Sequence, residues 1–237
     1  MPPISTAGHA ILGMGPRMGQ LGIAGIGTEI LYAFIIIVCS LMIYFETKDL
    51  YDLSKHKGIQ YFRFSFLFFA IAYFFRSFIK FIIGILDVDD ILRINPFGFG
   101  LFTLFVFIFF SSLALLFLIY SIKWKKWDKI INGFIILPLI SFVLAITAVI
   151  FNHILVYLFI HLVLLLFALG VLYLAKSSKR KNNLYKVYAL LFVFWVLNIL
   201  DLFVPNVLQY FQLLIYLFSS FIFLLILYKV TKNTGPT

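Results

Sequence analysis

Apolar residues in this chain run in long, nearly unbroken stretches instead of alternating with polar ones. Seven stretches approach or exceed about 20 residues, the length a helix needs to cross about 30 Å of hydrocarbon. They cover 22–45, 60–86, 98–120, 130–150, 154–175, 187–204 and 207–229. Helices are expected in all of them, because lipid leaves every backbone N–H and C=O to be satisfied within its own segment. The shortest links, Phe151-Asn152-His153 and Pro205-Asn206, hold turn-favouring residues, and Pro205 disfavours extending the sixth span. Pro138 should kink the fourth span. The charged stretch 46–58 reads as a solvated loop, with a turn of interfacial helix as the alternative.

The fold class this pattern predicts is all-α: a polytopic integral membrane protein, a seven-transmembrane-helix bundle. Residues 1–21 form a short Gly-rich tail, 22–230 the membrane domain and 231–237 a second short tail. The tail at 1–21 lacks a basic segment before an apolar core and does not look like a cleaved signal.

Composition supports lipid as the solvent. The 237 residues are 64% hydrophobic and only 12% charged, and mean hydropathy is +1.11. A soluble fold has about twice that charged share with which to cover its surface. The net charge of +10 would suit nucleic acid, but its distribution argues for topology. Lys48, Lys55, Lys57 and Arg63 follow the first span. Lys123, Lys125, Lys126 and Lys129 follow the third. Lys176, Lys179, Arg180, Lys181 and Lys186 follow the fifth, and Lys229 and Lys232 end the seventh. Fifteen of the 19 basic residues thus fall on one side, leaving Arg17, Arg76, Lys80 and Arg93 for the other. The positive-inside rule makes the basic side cytosolic, which predicts the N-terminus outside and the C-terminus in the cytosol, with the plasma membrane the expected location. Nucleic acid is not an expected partner.

Candidate chemistry lies where polar groups sit at apolar depth, since such groups are costly there. Asp201 falls one turn short of the outer end of span six, with Asn198 on the same face. Arg76 and Lys80 share a face of span two, near Tyr73 and Ser77. His153, Tyr157 and His161 form a stripe down span five. Span seven offers Gln209, Gln212, Tyr216 and Ser219, and span one adds Thr28 and Glu29. Turned inward, these stripes would make a polar cleft open to the outside and closed below by a Phe-rich half. The cleft candidates are Asp201, Arg76, Asn198, His161, Tyr157, Gln212, Glu29 and Lys80. Each has a plainer alternative: an Arg76–Asp201 ion pair, a snorkelling Lys80, a helix-contact His161, or amides that hold helices together. Asp87, Asp89 and Asp90 read as a solvated loop, lacking calcium-loop spacing.

Trp124 and Trp127, within Lys-Trp-Lys-Lys-Trp-Asp-Lys, carry an interfacial-belt signature. With Lys125 and Lys126, and with Lys179, Arg180 and Lys181, they mark a surface for headgroups, anionic lipids or an acidic protein partner. The lone cysteine, Cys39, permits no intrachain disulfide and no cysteine-based metal site. Metalloprotease, serine-hydrolase and nucleotide-loop signatures are missing, so neither enzyme activity nor a cofactor is expected.

The predicted topology resembles that of microbial rhodopsins, animal seven-helix receptors and small seven-helix sugar carriers. Span seven has no lysine before Lys229, so retinal linkage is not implied, and no Pro-Gln pair of the sugar-carrier kind occurs. The leading expectation is a receptor-like sensor. A small ion-coupled transporter and an assembly subunit of a larger membrane complex are the alternatives.

Overall fold

A computed structural model describes residues 23–86, 96–127, 132–151, 154–176, 183–203 and 209–234. These residues form seven α-helices: α1 (Ile23–Ser54), α2 (Lys57–Leu86), α3 (Pro96–Trp127), α4 (Gly133–Phe151), α5 (Ile154–Lys176), α6 (Asn183–Phe203) and α7 (Gln209–Thr234). Five of them, α1 to α4 and α7, contain segments long and apolar enough to cross a membrane. The other two are more polar or shorter in apolar reach. The apolar part of α5 is Leu158–Gly170, and α6 carries Lys186, Asn198 and Asp201 within its 21 residues.

Each helix packs on the next in sequence, α3 also meets α5, and α7 returns to α1, which closes a ring. The core is strongly aromatic. Tyr61, Phe66, Phe69, Phe117, Phe194 and Phe223 are all fully buried. Large apolar side chains line the opposite faces in the open, including Phe211, Leu214, Leu217, Phe218 and Phe221 on α7 and Ile135, Leu139, Phe142 and Val143 on α4. Such rows would aggregate in water and are at home in lipid. Several buried hydroxyls are satisfied on their own helices. Thr47 donates to the Ile43 carbonyl at 2.7 Å and Ser65 to that of Phe62 at 2.6 Å.

Two expected boundaries move. The stretch 46–58 is not a solvated loop: α1 continues through Ser54, and only Lys55 and His56 separate it from α2. Lys55 takes the left-handed conformation that ends the helix, φ 49°, with its N–H on the Tyr51 carbonyl at 2.7 Å. The third span likewise runs on to Trp127. The reason is local. Charged residues such as Glu46, Lys48 and Lys125 are good helix formers once past the hydrocarbon, and the 32 residues of α1 reach about 48 Å.

The extended ends pack tightly. A Cβ on Gly58 would lie 2.7 Å from Trp124 Cδ1, so only glycine gives the indole its seat. His56 meets the same indole edge-on at 4.8 Å. Pro138 sits inside a continuous α4. Residues 1–22, Asp87, Asp89, Asp90, Arg93, His153, Lys179, Arg180 and Lys181 lie outside the described residues.

Candidate functional site

α2 places Arg76 about 28 Å from its Lys57 end, among apolar neighbours where a bare charge is costly. Two carboxylates from other helices answer it. Glu29 Oε1 of α1 is 3.3 Å from Arg76 Nη2, and Asp201 Oδ2 of α6 is 3.6 Å from the same nitrogen. The three side chains are 20%, 15% and 10% exposed, respectively. The guanidinium also lies over the Phe107 ring of α3, 5.3 Å from its centroid. One cation therefore ties α1 to α6, helices that are far apart in sequence.

A hydrogen-bonded chain continues toward the middle of the bundle. The Tyr73 hydroxyl donates to Asn198 Oδ1 at 2.6 Å, and Asn198 Nδ2 donates to the Phe194 carbonyl at 2.9 Å. The Tyr32 hydroxyl lies 3.3 Å from that of Tyr73. Because the Tyr73 proton is engaged by Asn198, Tyr32 is the donor between them. The Tyr32 ring stacks on Tyr216 of α7, centroids 4.6 Å apart and 11° from parallel. The Tyr216 hydroxyl accepts from Gln212 Nε2 at 2.8 Å and is an electrostatic neighbour of Glu29 and Arg76. Four helices thus share one polar cluster.

Below it the interior is aromatic. Phe194 meets Phe223 at 4.5 Å, and Phe69 meets both at 6.3 Å. Phe66 and Phe62 continue this face of α2 as far as Tyr188. There Ser121 and Tyr188 form a hydroxyl pair at 2.7 Å.

Of the residues singled out by the sequence, Glu29, Arg76 and Asp201 meet directly, and Asn198 and Gln212 join them through tyrosines. His161 is buried elsewhere, its ring on Trp195 at 5.6 Å and 14° from parallel. Tyr157, Lys80 and Lys126 lie on described helices, but their side chains fall outside the description. Sequence reasoning missed Tyr32 and Phe107. The spacing of Tyr32, three residues after Glu29 on the same helix face, is a signal that could have found the tyrosine. At the basic end, Trp124 and Trp127 are half-buried and packed on protein. Trp127 stacks on Phe167 at 6.3 Å, and Lys125 lies over Trp124 at 5.8 Å.

No family model matches the chain, and no solved structure matches it. A protein of Archaeoglobus fulgidus, itself described as uncharacterized, is 30% identical over 214 residues, which cover 88% of this chain and 93% of that protein. The similarity covers most of both chains, and the chain belongs to the same family as this archaeal protein.

Proposed function

We propose that this chain is a receptor-like membrane sensor in which all seven helices cross the bilayer, with the N-terminus outside and the C-terminus cytosolic. Its switch is the sharing of Arg76 between Glu29 of α1 and Asp201 of α6. That sharing is the observation that carries the reading. Two carboxylates compete for one guanidinium, so anything that occupies or protonates one hands Arg76 to the other. The affected carboxylate belongs to one helix, and the placement of that helix relative to Arg76 shifts with it. A ligand or proton acts here only through different affinities for the two packings.

Swinging a two-state equilibrium from 1:99 to 99:1 takes about 5.5 kcal/mol. Protonating one carboxylate leaves Arg76 paired with the other, so the latch gives less than about 3–5 kcal/mol, the cost of a stranded buried charge, and biases the equilibrium without inverting it. The groups facing it are Tyr32 of α1, Tyr73 of α2, Phe107 of α3 and Tyr216 of α7, with Lys80 one turn further along α2. The ligand would be a small molecule or ion, and the three basic loops would meet anionic lipid or an acidic protein partner.

The rival reading, an ion-coupled transporter, needs a polar route through the bundle. The packed rings of Phe66, Phe69, Phe194 and Phe223 argue against one. Proteoliposomes under an imposed proton or sodium gradient separate the two. The sensor is expected to pass no steady current, while the labelling rate of the buried Cys39 changes with outside pH in wild type and not in Asp201→Asn. A steady current in wild type that Asp201→Asn abolishes would make the protein a transporter.

A further inference from the structure

A second arginine on α2 is satisfied in a different way. Arg63 lies about 9 Å into α2 from Lys57, near the basic end of the bundle. Its guanidinium sits over two tyrosine faces of α1, 4.6 Å from the Tyr44 centroid and 5.7 Å from that of Tyr51. No carboxylate among the described residues is within ion-pair distance, and its Nε is shut off from solvent with no hydrogen-bond partner. Aromatic faces attract the cation but do not satisfy the in-plane N–H donors of a guanidinium.

The α1 surface beside Arg63 is arranged the same way. Tyr44, Lys48 and Tyr51 recur at four and three residues, which puts them on one face of α1. Just past the helix end, Lys55 Nζ is 5.5 Å from the Tyr51 centroid and 3.4 Å from Asp52. Glu46 and Asp49 are exposed and turned further round the helix. Arg63 and Lys48 therefore give this end a cationic strip bordered by tyrosines, at the level where the apolar run of α1 gives way to charge.

We propose that Arg63 is the centre of a phosphate-binding site between α1 and α2, and that its ligand is the headgroup phosphate of an anionic lipid. A planar fork of donors matches phosphate oxygens bidentately. Tyr44 and Tyr51 flank the guanidinium, and Lys48 adds a second charge. The depth favours lipid over a free ion, since tyrosine belts and basic residues at an apolar boundary meet headgroups. This site is independent of the Arg76 latch.

The test uses full-length protein, delipidated in detergent and followed by native mass spectrometry. Short-chain phosphatidylglycerol, phosphatidylcholine and inorganic phosphate are titrated separately. Wild type is expected to hold phosphatidylglycerol at least about tenfold more tightly than Arg63→Ala, the effect of one charge-assisted contact. Arg63→Lys, which keeps the charge and loses the fork, is expected to fall between them. Lys57→Ala is the control and keeps wild-type binding. If Arg63→Ala does not fold, Arg63→Lys carries the test, and unchanged phosphatidylglycerol affinity in it overturns the site. Equal binding of phosphatidylcholine overturns the anionic preference. Saturation by inorganic phosphate, with the lipid unable to compete, assigns the guanidinium to a free phosphate and overturns the lipid ligand.

Discussion

Two arginines on one helix, Arg63 and Arg76, stand about 20 Å apart and are neutralised by opposite means. Arg76 is held by carboxylates brought from α1 and α6. Arg63 is held by tyrosine faces of α1, with no acid within ion-pair distance among the described residues. On the readings proposed above, the first arrangement is closed within the protein and changes when helices move, while the second is completed from outside. The difference lies in which partners the neighbouring helices supply.

The largest expected effect breaks this comparison most directly. Arg76→Met leaves two buried carboxylates without their cation and should cost about 3–5 kcal/mol of stability. Adding Glu29→Gln and Asp201→Asn to it should restore most of that loss, since these changes remove the uncompensated buried charges. Arg63→Met strands no carboxylate and should cost about 1 kcal/mol or less, the worth of its aromatic contacts. Thermal unfolding of all four proteins in one detergent measures this. Equal losses at Arg63 and Arg76 would mean that the carboxylates do not distinguish them.

The two arginines also differ in how far the sequence announces them. Arg76 lies inside a span, where any charge is conspicuous, and so do Asp201 and Glu29. The helices themselves were equally plain, since hydrophobic runs of this length have few other uses. What the sequence could not say is which stripes meet. Each helix face is readable, but the rotation of one helix against another is set by packing, and that packing sends His161 to Trp195 and not to Arg76. Arg63 was hidden for another reason. It sits at a membrane edge among lysines, where a basic residue is already explained by topology. Its partner Tyr51 is on the helix only because α1 runs on to Ser54 in place of a loop.

An intermediate effect sharpens the separation of the two regions. Gly58→Ala puts a methyl group against Trp124 and His56 at the basic end. Overpacking of this kind costs about 1–3 kcal/mol, readable as a lower unfolding temperature. If the ends act independently, the pH response of Cys39 labelling persists in this variant at its wild-type midpoint. A shifted midpoint would show that the tight seat of Trp124 bears on the Arg76 latch across the length of α2.

The smallest effect asks how far the Arg76 cluster extends into the bundle. Tyr73→Phe removes the hydroxyl that bridges Tyr32 to Asn198 and leaves both arginines in place. Hydrogen bonds between membrane helices average about 0.6 kcal/mol and reach about 1.7 kcal/mol, so the stability loss should stay under about 2 kcal/mol. A double-mutant cycle with Asn198→Ala isolates the bond itself, expected near the average because Asn198 keeps its own Phe194 carbonyl. If Tyr73 belongs to the switch, the same substitution should also weaken the pH response at Cys39, although it removes no charge. A stability loss with an unaltered response would confine the switch to Glu29, Arg76 and Asp201. The tyrosine chain would then be ordinary helix contact, and the closed region of the molecule would shrink to a single cation between two acids.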